Sequence, residues 1–283
     1  MNKHDANPAA GAGMLFVVAT PIGNLDDLTP RARATLAAVD LIAAEDTRHS
    51  AALLRHHGIA THCVALHEHN EREASADLVR QIQAGKRIAL ISDAGTPLVS
   101  DPGYRLVRAA REAGVAVSPI PGACAAIAAL SAAGLPSDRF VFEGFLAAKS
   151  AARRAHLQTL RAETRTLIFY ESSHRIVEML RDLLAEFGES RKAVVARELT
   201  KQFETVLDGT LGELVARVES DADQQRGEFV VLVEGADEDD AAARLVEGQR
   251  VYRILSAELP PSRAAKIAAE ITGAPRKLLY LQD

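Results

Sequence analysis

The chain has 283 residues, 48% of them hydrophobic, so it can bury enough apolar surface for more than one domain of ordinary size. Its 33 lysines and arginines are outnumbered by 38 acidic residues, which excludes a globally polycationic nucleic-acid binder but not a local basic patch. Two cysteines, Cys63 and Cys124, make neither a disulfide framework nor a metal-ligand set and fit a reducing compartment. Residues 1–12 are small and polar, which predicts a disordered tail without a signal peptide. The most apolar segment, 123–135, is too short to span a bilayer, so we expect a cytoplasmic protein.

Short apolar runs alternate with helical patterns through the first 120 residues. We predict strands at 15–20, 39–45, 62–66, 87–92 and 115–120, and helices at 30–39, 50–58, 71–85 and 102–114. Such alternation is typical of an α/β domain with a parallel sheet and helices on both faces. Thr29 and Asp101 are the predicted helix caps, each followed by a proline at the first helical position. A ligand would lie at the carboxyl ends of the strands.

The second half carries a further set of strand-like runs. They fall at 139–145, 165–171, 192–198, 203–209 and 228–234. Since only one short helical stretch separates the last two, we predict a mixed sheet. The acidic run 234–240 is interpreted as a linker, and the residues after it are predicted to be helical. The predicted organisation is an N-terminal αβα domain at 13–122, a C-terminal αβα domain at 123–238 and a small helical extension at 239–283.

The stretch ISDAGTPLVSDPGY at 91–104 joins a predicted strand to dense turn chemistry. Pro97 and Pro102 each remove a backbone N–H donor and no lysine follows the glycines, which disfavours a phosphate cradle. Exposed carbonyls and the Asp93 carboxylate suit a cationic or polar ligand better. Two tight turns and a helix cap explain Asp101-Pro102-Gly103 equally well, so the residues alone leave a ligand site and a capped turn as alternatives.

Two other strand ends carry polar residues. ATPIGNLDDLTPRA at 19–32 follows the first strand, and a plain connection to the next helix would also account for it. AAEDTRHS at 43–50 holds Glu45, Asp46 and Arg48, which suit a general base or a ribose contact. A helix cap at Asp46 or Thr47 with Arg48 exposed to solvent is the alternative.

Three further motifs have both a functional and a structural interpretation. FYESSHRI at 169–176 offers Glu171, His174 and Arg175, although Ser172 or Ser173 acting as a helix cap explains it as well. The basic segment 147–165 fits a phosphodiester chain or an ordinary solvated helix face. The C-terminal residues from Ser262, with a turn at Thr272-Gly273 and a short second helix bearing Arg276 and Lys277, have the pattern of a helix–turn–helix or of terminal packing helices. His67 and His69 lack a third ligand, so we expect no metal.

Taken in order, these motifs resemble the ribosomal RNA methyltransferases of the tetrapyrrole (corrin/porphyrin) methylase superfamily. The matching stretches are 18–32, 41–54, 90–104, 120–145, 166–175, 196–201 and 227–235, which together span nearly the whole chain. Tetrapyrrole-modifying relatives carry a glycine-rich G-x-G-P-G-D loop after the first strand. This chain has Thr20-Pro21-Ile22-Gly23-Asn24 there, which favours RNA over a tetrapyrrole as the substrate.

The resemblance implies two αβα domains with S-adenosyl-L-methionine bound in the cleft between them, and transfer of a methyl group to a cytidine ribose 2′-O in the decoding region of small-subunit (16S) rRNA. The substrate would be free rRNA or the assembled 30S subunit, and the protein would be a homodimer. Carried over residue by residue, the cofactor-binding set is Pro21, Asp93, Gly95, Thr96, Pro97, Leu98, Gly122, Ala123, Cys124, Phe169, Tyr170, Ala196 and Phe229.

Chemistry and position suggest the catalytic groups. Glu45, Asp46 and Glu171 are candidates for a base or an orienting group, and Arg48 and Arg175 are candidates for holding phosphate. One alternative function is methylation of a tetrapyrrole or another small molecule by the same fold. Another is RNA binding without catalysis, through the basic segment 147–165 and the C-terminal residues, which predicts no binding of S-adenosylmethionine.

Overall fold

The protein is described here by a computed structural model that covers residues 13–67, 70–237 and 241–280. The predicted tail at 1–12, His69 and the end of the predicted linker at 238–240 lie outside the described residues. The chain divides into two compact units. One contains the residues up to Ala128 together with Glu198–Glu204, and the other contains Ala129–Arg197 together with the residues from Thr205 onward. The predicted boundaries near 122 and 238 stay predictions.

The first unit is built on a sheet of five strands, and every pairing between them is parallel, as predicted. The strands are β1 (Met14–Val18), β2 (Leu41–Ala44), β3 (Cys63–Ala65), β4 (Arg87–Ile91) and β5 (Ala116–Ile120), in the order β3-β2-β4-β1-β5. The helices are α1 (Pro30–Ala38), α2 (Thr47–His56), α3 (Glu71–Gln83) and α4 (Tyr104–Glu112), with α5 (Ala125–Ala132) following β5.

Both faces of this sheet are buried. One core cluster joins Val18, Ile42 and Ile91 to side chains of α1 and α2, and another joins Leu15 and Leu90 to side chains of α3 and α4. Strands buried on both faces have continuous apolar runs, which is why short apolar runs in the sequence identified these strands so directly. Thr29 caps α1 by accepting a hydrogen bond from the Ala32 N–H, as predicted.

The second unit holds the mixed sheet that was predicted. Its strands are β6 (Phe140–Phe145), β7 (Thr166–Ser172), β8 (Lys192–Arg197), β9 (Thr205–Thr210) and β10 (Glu228–Val233), in the order β6-β7-β10-β8-β9. Only β6 and β7 are parallel, and the other pairings are antiparallel. The helices are α6 (Ser150–Thr159), α7 (Ile176–Phe187) and α8 (Leu211–Ser220), and a core cluster packs them against one face of the sheet.

The residues after 240 form α9 (Ala241–Ser256) and α10 (Pro261–Thr272), followed by a 3-10 helix at Arg276–Tyr280. Ala265, Ala268, Ala274 and Leu279 make a small core between these elements. Gly273 ends α10 in the left-handed conformation, with φ of 69°, so the predicted turn is confirmed. The predicted second helix of this segment is instead a single 3-10 stretch of five residues.

Three details differ from the sequence-based predictions. Helix α4 begins at Tyr104 and its cap position is Gly103, so Asp101 is not its cap. Helix α7 begins at Ile176 after Arg175, and neither Ser172 nor Ser173 caps it. In α6, within the predicted basic segment, Arg153 is fully buried and pairs with Asp182, so it belongs to the core. These arrangements depend on contacts with residues distant in sequence, which local patterns do not reveal.

Candidate active site

In the first unit the loop after β1 is joined to the loop after β4 by their main chains. Thr20 N donates to Gly95 O at 2.8 Å, and Gly95 N donates back to Thr20 O at 3.1 Å. The Thr20 hydroxyl, itself buried, also donates toward the carbonyl oxygens of Ser92 and Gly95 at 3.3 and 3.4 Å. Gly95 has φ of 81°, and a Cβ there would lie 3.2 Å from Ile22 Cγ2. The positive φ therefore favours glycine at this junction, and a larger residue would press on Ile22.

The loop after β5 joins the same junction. Thr96 Oγ1 donates to Ala123 O at 2.9 Å. A Cβ on Gly122 would lie 2.9 Å from Ala19 Cβ, so the loops after β1 and β5 approach as closely as their backbones allow. The predicted cofactor residues of the first unit are thus brought together at the carboxyl ends of three parallel strands. Pro21 lies after β1, residues 93 and 95–98 lie after β4, and residues 122–124 lie after β5. Ligands of open parallel sheets bind at such ends.

The loop after β4 also carries unusual backbone. Leu98 and Ser100 have φ of 73° and 67°, a region that residues with a Cβ seldom adopt. Each such residue costs of order 1–3 kcal/mol and persists only where surrounding structure imposes it, most often at ligand sites. This observation favours the ligand-site interpretation of residues 92–98, which the residue types alone had left open.

Acidic groups cluster beside this loop. Asp93 Oδ1 accepts a hydrogen bond from Asp46 N at 3.0 Å, which ties the end of β2 to the end of β4. Burial raises the pKa of Glu45, and the neighbouring charge of Asp93 raises it further. Burial also raises the pKa of Asp101 to about 6, and the charges of Glu45 and Asp93 act in the same direction. These carboxyl groups repel one another when ionised, and a bound cation would relieve that repulsion.

Asp46 has a different role. It is the cap of α2, accepting from Arg48 N at 2.8 Å, and it also pairs with the Arg48 guanidinium at 2.9 Å. These hydrogen bonds lower the pKa of Asp46 to about 2, so it is a weak base. The Arg48 side chain is 91% exposed, which leaves it accessible to an anionic group.

Segment 198–204 belongs to the first unit and packs on the loop after β1. Thr200 Oγ1 accepts from Asn24 N at 3.1 Å. A Cβ on Gly23 would lie 2.9 Å from Thr200 Oγ1 and 3.0 Å from Leu199 O. Glu198 and Thr200 have φ of 50° and 65°, which is rare for a β-branched residue such as threonine. Sequence reasoning missed Thr200, because no local pattern marks left-handed backbone at a non-glycine residue.

In the second unit, Glu171 and Arg175 form an ion pair in which the acid is fully buried. Arg175 donates through Nε at 2.8 Å and Nη2 at 2.6 Å to Glu171 Oε1, and the Glu171 side chain is fully buried. Oε1 also accepts from Ser172 N, while Oε2 is buried without a hydrogen-bond partner. Oε1 therefore fixes the turn that follows β7, and Oε2 is shielded from solvent.

The four predicted cofactor residues of the second unit lie on two faces of its sheet. Phe169 and Phe229 point into the core cluster that α6, α7 and α8 cover. Tyr170 and Ala196 both pair with Val230 and therefore share the opposite face. The side chains of Phe169 and Phe229 therefore point away from those of Tyr170 and Ala196. Their contact with a cofactor stays a prediction.

Across 13–67, 70–237 and 241–280, no three histidine, cysteine, aspartate or glutamate side chains are grouped so that they could hold a metal ion. Within the same residues, no helix is both long and apolar enough to cross a membrane. Burial raises the pKa of the Cys63 thiol to about 11, so it is a poor nucleophile at neutral pH.

Comparison with known proteins identifies the family to which this fold belongs. The family model "Tetrapyrrole (Corrin/Porphyrin) Methylases" matches residues 14–215, and the model "RsmI C-terminal HTH domain" matches residues 239–282. Among solved structures, the methyltransferase CobJ superposes with a TM-score of 0.58 at 22% identity, covering 79% of this chain and 95% of that one. A uroporphyrin-III C-methyltransferase from Thermus thermophilus, complexed with S-adenosyl homocysteine, gives a TM-score of 0.55 at 19% identity, covering 78% and 97%. The predicted fold class, α/β of the tetrapyrrole methylase type with a C-terminal helical extension, is confirmed.

Curated relatives narrow the identification. The Xylella fastidiosa (strain Temecula1) protein named "Ribosomal RNA small subunit methyltransferase I" is 60% identical to this chain over 268 residues. The match covers 95% of this chain and 98% of the relative. The corresponding protein of Pseudomonas aeruginosa is 58% identical over 272 residues, covering 96% of each chain. The chain therefore belongs to the tetrapyrrole methylase family and, within it, to the ribosomal RNA small subunit methyltransferase I proteins.

Proposed function

We propose that this protein uses S-adenosyl-L-methionine to methylate the ribose 2′-O of a cytidine in the decoding region of small-subunit 16S rRNA. The observation that carries the proposal is the junction of three strand-end loops in the first unit, within a chain that is 60% identical to a named small-subunit rRNA methyltransferase. The substrate is assigned through those relatives and through the Thr20–Asn24 loop, which lacks the glycine-rich form expected of tetrapyrrole enzymes.

The residues at the junction fit such a cofactor. S-adenosylmethionine supplies an electrophilic methyl group on a cationic sulfonium. The carboxylates of Asp93 and Glu45 give the junction a negative field that favours a cation, and Pro97 removes a donor that a phosphate would need. We assign cofactor binding in the first unit to Pro21, Asp93, Gly95, Thr96, Pro97, Leu98, Gly122, Ala123 and Cys124, and in the second unit to Phe169, Tyr170, Ala196 and Phe229.

The catalytic roles follow from the charge states. Glu45 is the proposed proton acceptor, because its raised pKa makes it a stronger base than an ordinary carboxylate. Asp46 is too weak a base and orients Arg48 instead, which would hold a phosphate of the RNA. Glu171 is assigned the same orienting role toward Arg175. A well-placed base contributes about 10²–10⁴-fold, and positioning the ribose hydroxyl in line with the methyl group contributes several kcal/mol more.

The partners are proposed on the same basis. We place the reaction in the cytoplasm, with rRNA or the assembled 30S subunit as the substrate, and a homodimer as the working form. Naked 16S rRNA and 30S subunits from a strain lacking the activity distinguish the two substrates.

The test is to incubate the full-length protein with methyl-labelled cofactor and each substrate, and then to map the label. Label at the 2′-O of one decoding-region cytidine is the expected result, and labelling of a base or of a tetrapyrrole instead contradicts it. Glu45→Gln is expected to bind the cofactor more weakly, with Asp93 still in place, and to lose about 10²-fold or more in rate at saturating cofactor, consistent with loss of a general base. Normal rates in both Asp46→Asn and Glu171→Gln would remove those two residues from the mechanism. A protein that binds RNA but gives no calorimetric signal with S-adenosylmethionine would be an RNA-binding protein only.

A further inference from the structure

The connection between β8 and β9 is longer than the two strands require. Arg197 at the end of β8 pairs with Thr205 at the start of β9. Antiparallel strands paired in this way are usually joined by about two to five residues. Here the connection is residues 198–204, called the β8–β9 loop below, and these residues belong to the first unit although both strands belong to the second. The extra length therefore serves a contact in the first unit and not the hairpin itself.

Hydrogen bonds within the β8–β9 loop fix its shape. Thr200 N donates to Glu204 Oε2 at 2.6 Å. Lys201 donates to Glu198 twice, from N to the carbonyl oxygen at 3.0 Å and from Nζ to Oε1 at 2.8 Å. Glu198 and Thr200 have φ of 50° and 65°, a conformation that persists only where the surrounding structure imposes it. The loop thus holds the Thr200 side chain in one position.

Thr200 anchors the far end of the loop that follows β1. Its Oγ1 accepts a hydrogen bond from Asn24 N at 3.1 Å. Thr20, at the near end of the same loop, is held to Gly95 by two main-chain hydrogen bonds. The three residues between these anchors include Pro21, which is assigned above to the cofactor. The conformation of Pro21 therefore depends on Thr200 as well as on Gly95.

Gly23, between the two anchors, leaves no free space against the β8–β9 loop. A Cβ on Gly23 would lie 2.5 Å from Lys201 Cγ, 2.9 Å from Thr200 Oγ1 and 3.0 Å from Leu199 O. The φ of Gly23 lies outside the left-handed region, so the cost of an alanine there comes from this contact and not from backbone strain. A shift of either loop must therefore move the other.

We propose that Thr200 is a positioning residue for the cofactor, because its hydroxyl holds residues 20–24 in the conformation that binds S-adenosylmethionine. This inference rests on the proposed function, which assigns Pro21 to the cofactor. The hydrogen bond is exposed and borders an open cavity of about 510 Å³, so water can satisfy the Asn24 amide when the hydroxyl is removed. Water keeps the amide solvated but does not fix the loop. The loss should therefore appear in cofactor affinity and not in stability.

Thr200→Val is the direct test. Valine keeps the β-branched shape, and so the backbone strain at this position, but removes the acceptor. Full-length wild type and variant are titrated calorimetrically with S-adenosylmethionine, and their melting temperatures are measured without cofactor. A hydrogen bond contributes a net factor of about 2–10, so we expect the Kd to rise about fivefold at an unchanged melting temperature. Thr200→Ser retains the hydroxyl and should bind the cofactor as wild type does.

Thr210→Val is the matched control. Thr210 Oγ1 also accepts an exposed backbone N–H, that of Glu213 at 3.3 Å, but it does so as the cap of α8 in the second unit. The same exchange at position 210 should lower the melting temperature, because a helix cap is lost, and leave the cofactor Kd at its wild-type value. The two valine variants thus separate positioning of the cofactor from stabilisation of the fold.

Gly23→Ala approaches the contact from the other loop. We expect it to raise the Kd for S-adenosylmethionine about fivefold or more. Combined with Thr200→Val, it should raise the Kd by less than the product of the two separate effects, because both changes disturb the same contact.

Four results overturn the role of Thr200. They are a wild-type Kd in Thr200→Val, a Kd in Thr200→Ser as high as in Thr200→Val, an equal loss of affinity in Thr210→Val, and fully independent effects in the double variant. If the wild-type protein itself gives no signal with S-adenosylmethionine, the proposed function falls together with this role. Normal binding by wild type and by all variants removes the positioning role alone.

Discussion

The carboxylate of Glu71 accepts the backbone N–H of Gly103 at 2.9 Å, although 32 residues separate the two in the chain. The same oxygen accepts from Arg105 N at 2.9 Å. Glu71 is the first residue of α3, and Gly103 is the cap position of α4, which has no side-chain cap of its own. A buried acid on one helix thus satisfies the N-terminal amides of another and fixes the end of the loop that carries Leu98 and Ser100.

Glu71→Ala is expected to lower the free energy of unfolding by about 1–3 kcal/mol, because it leaves the buried Gly103 amide and the partly buried Arg105 amide without an acceptor. It should also weaken cofactor binding, since the loop from Ser92 to Gly103 loses its anchor. Glu71→Gln retains an oxygen acceptor and should be affected less in both respects. Urea unfolding and calorimetric titration measure the two effects, and equal losses in both variants would mean that the charge, not the acceptor, matters.

Gly95→Ala tests the loop junction against a matched glycine. Gly95 and Gly58 have φ of 81° and 66°, so alanine at either position costs about 1–2 kcal/mol in backbone strain. A Cβ at Gly58 meets nothing within 4 Å, whereas one at Gly95 presses on Ile22. We therefore expect both variants to lose stability in urea but only Gly95→Ala to lose cofactor affinity. A comparable loss of affinity in Gly58→Ala would show that the effect is not local to the junction.

Asp182→Ala tests the buried pair beneath α6. Arg153 is fully buried and donates from Nε to Asp182 Oδ2 at 2.7 Å. Removing the acid leaves a buried cation with only a more distant acid, Glu178, at 3.6 Å, so we expect a loss of about 3–5 kcal/mol. The control Asp223→Ala breaks a pair with Arg226 in which both side chains are 77% exposed, and it should cost nearly nothing. Similar melting temperatures for the two variants would contradict the structural role of Arg153.

The raised pKa of Asp101 gives a pH dependence with a definite sign. Its pKa is about 6 in the folded protein and 3.8 as the ordinary value, so the folded state binds the proton more tightly. The protonated Asp101 carboxyl is therefore compatible with its buried position below pH 4. As the pH rises toward about 6, keeping that proton costs the folded state an increasing part of its stability. Asp101→Asn should be more stable than wild type above pH 6, and the difference should vanish near pH 4. Urea unfolding across this range measures it, and a constant difference would refute the assignment.

Asp77→Asn is the control for that measurement. Hydrogen bonds from Gln81 and Arg80 lower the pKa of the Asp77 carboxyl, and the group is exposed. Its contribution to stability runs the opposite way, present at neutral pH and lost as the pH falls. The asparagine variant should therefore gain no stability above pH 6.

Local patterns predicted most of the fold. Every strand proposed from apolar runs is present with small shifts at its ends. In the inner strands β4, β8 and β10 nearly continuous burial leaves a continuous apolar signature. The parallel and mixed character of the two sheets also followed from the spacing of the elements. The strand orders and the register shift at Glu143 in β6 did not, because they depend on which distant segments pair.

The candidate site was only partly predictable, for a related reason. The turn residues of 92–98 identified the loop, since glycine and proline mark backbone geometry directly. Glu71 and Thr200 were missed because their roles come from residues 32 and 176 positions away. Arg153 was counted as part of a basic surface because a sequence gives its charge and not its burial.

The junction of Thr20 and Gly95 is made by main-chain hydrogen bonds, so it depends little on which side chains the loop tips carry. Ala94, between the two anchored positions Asp93 and Gly95, is exposed. Residues at such tips can therefore change without dismantling the frame that holds them. This separation offers a route by which one scaffold could come to serve different methyl acceptors, and it makes position 94 a practical place for a reporter group.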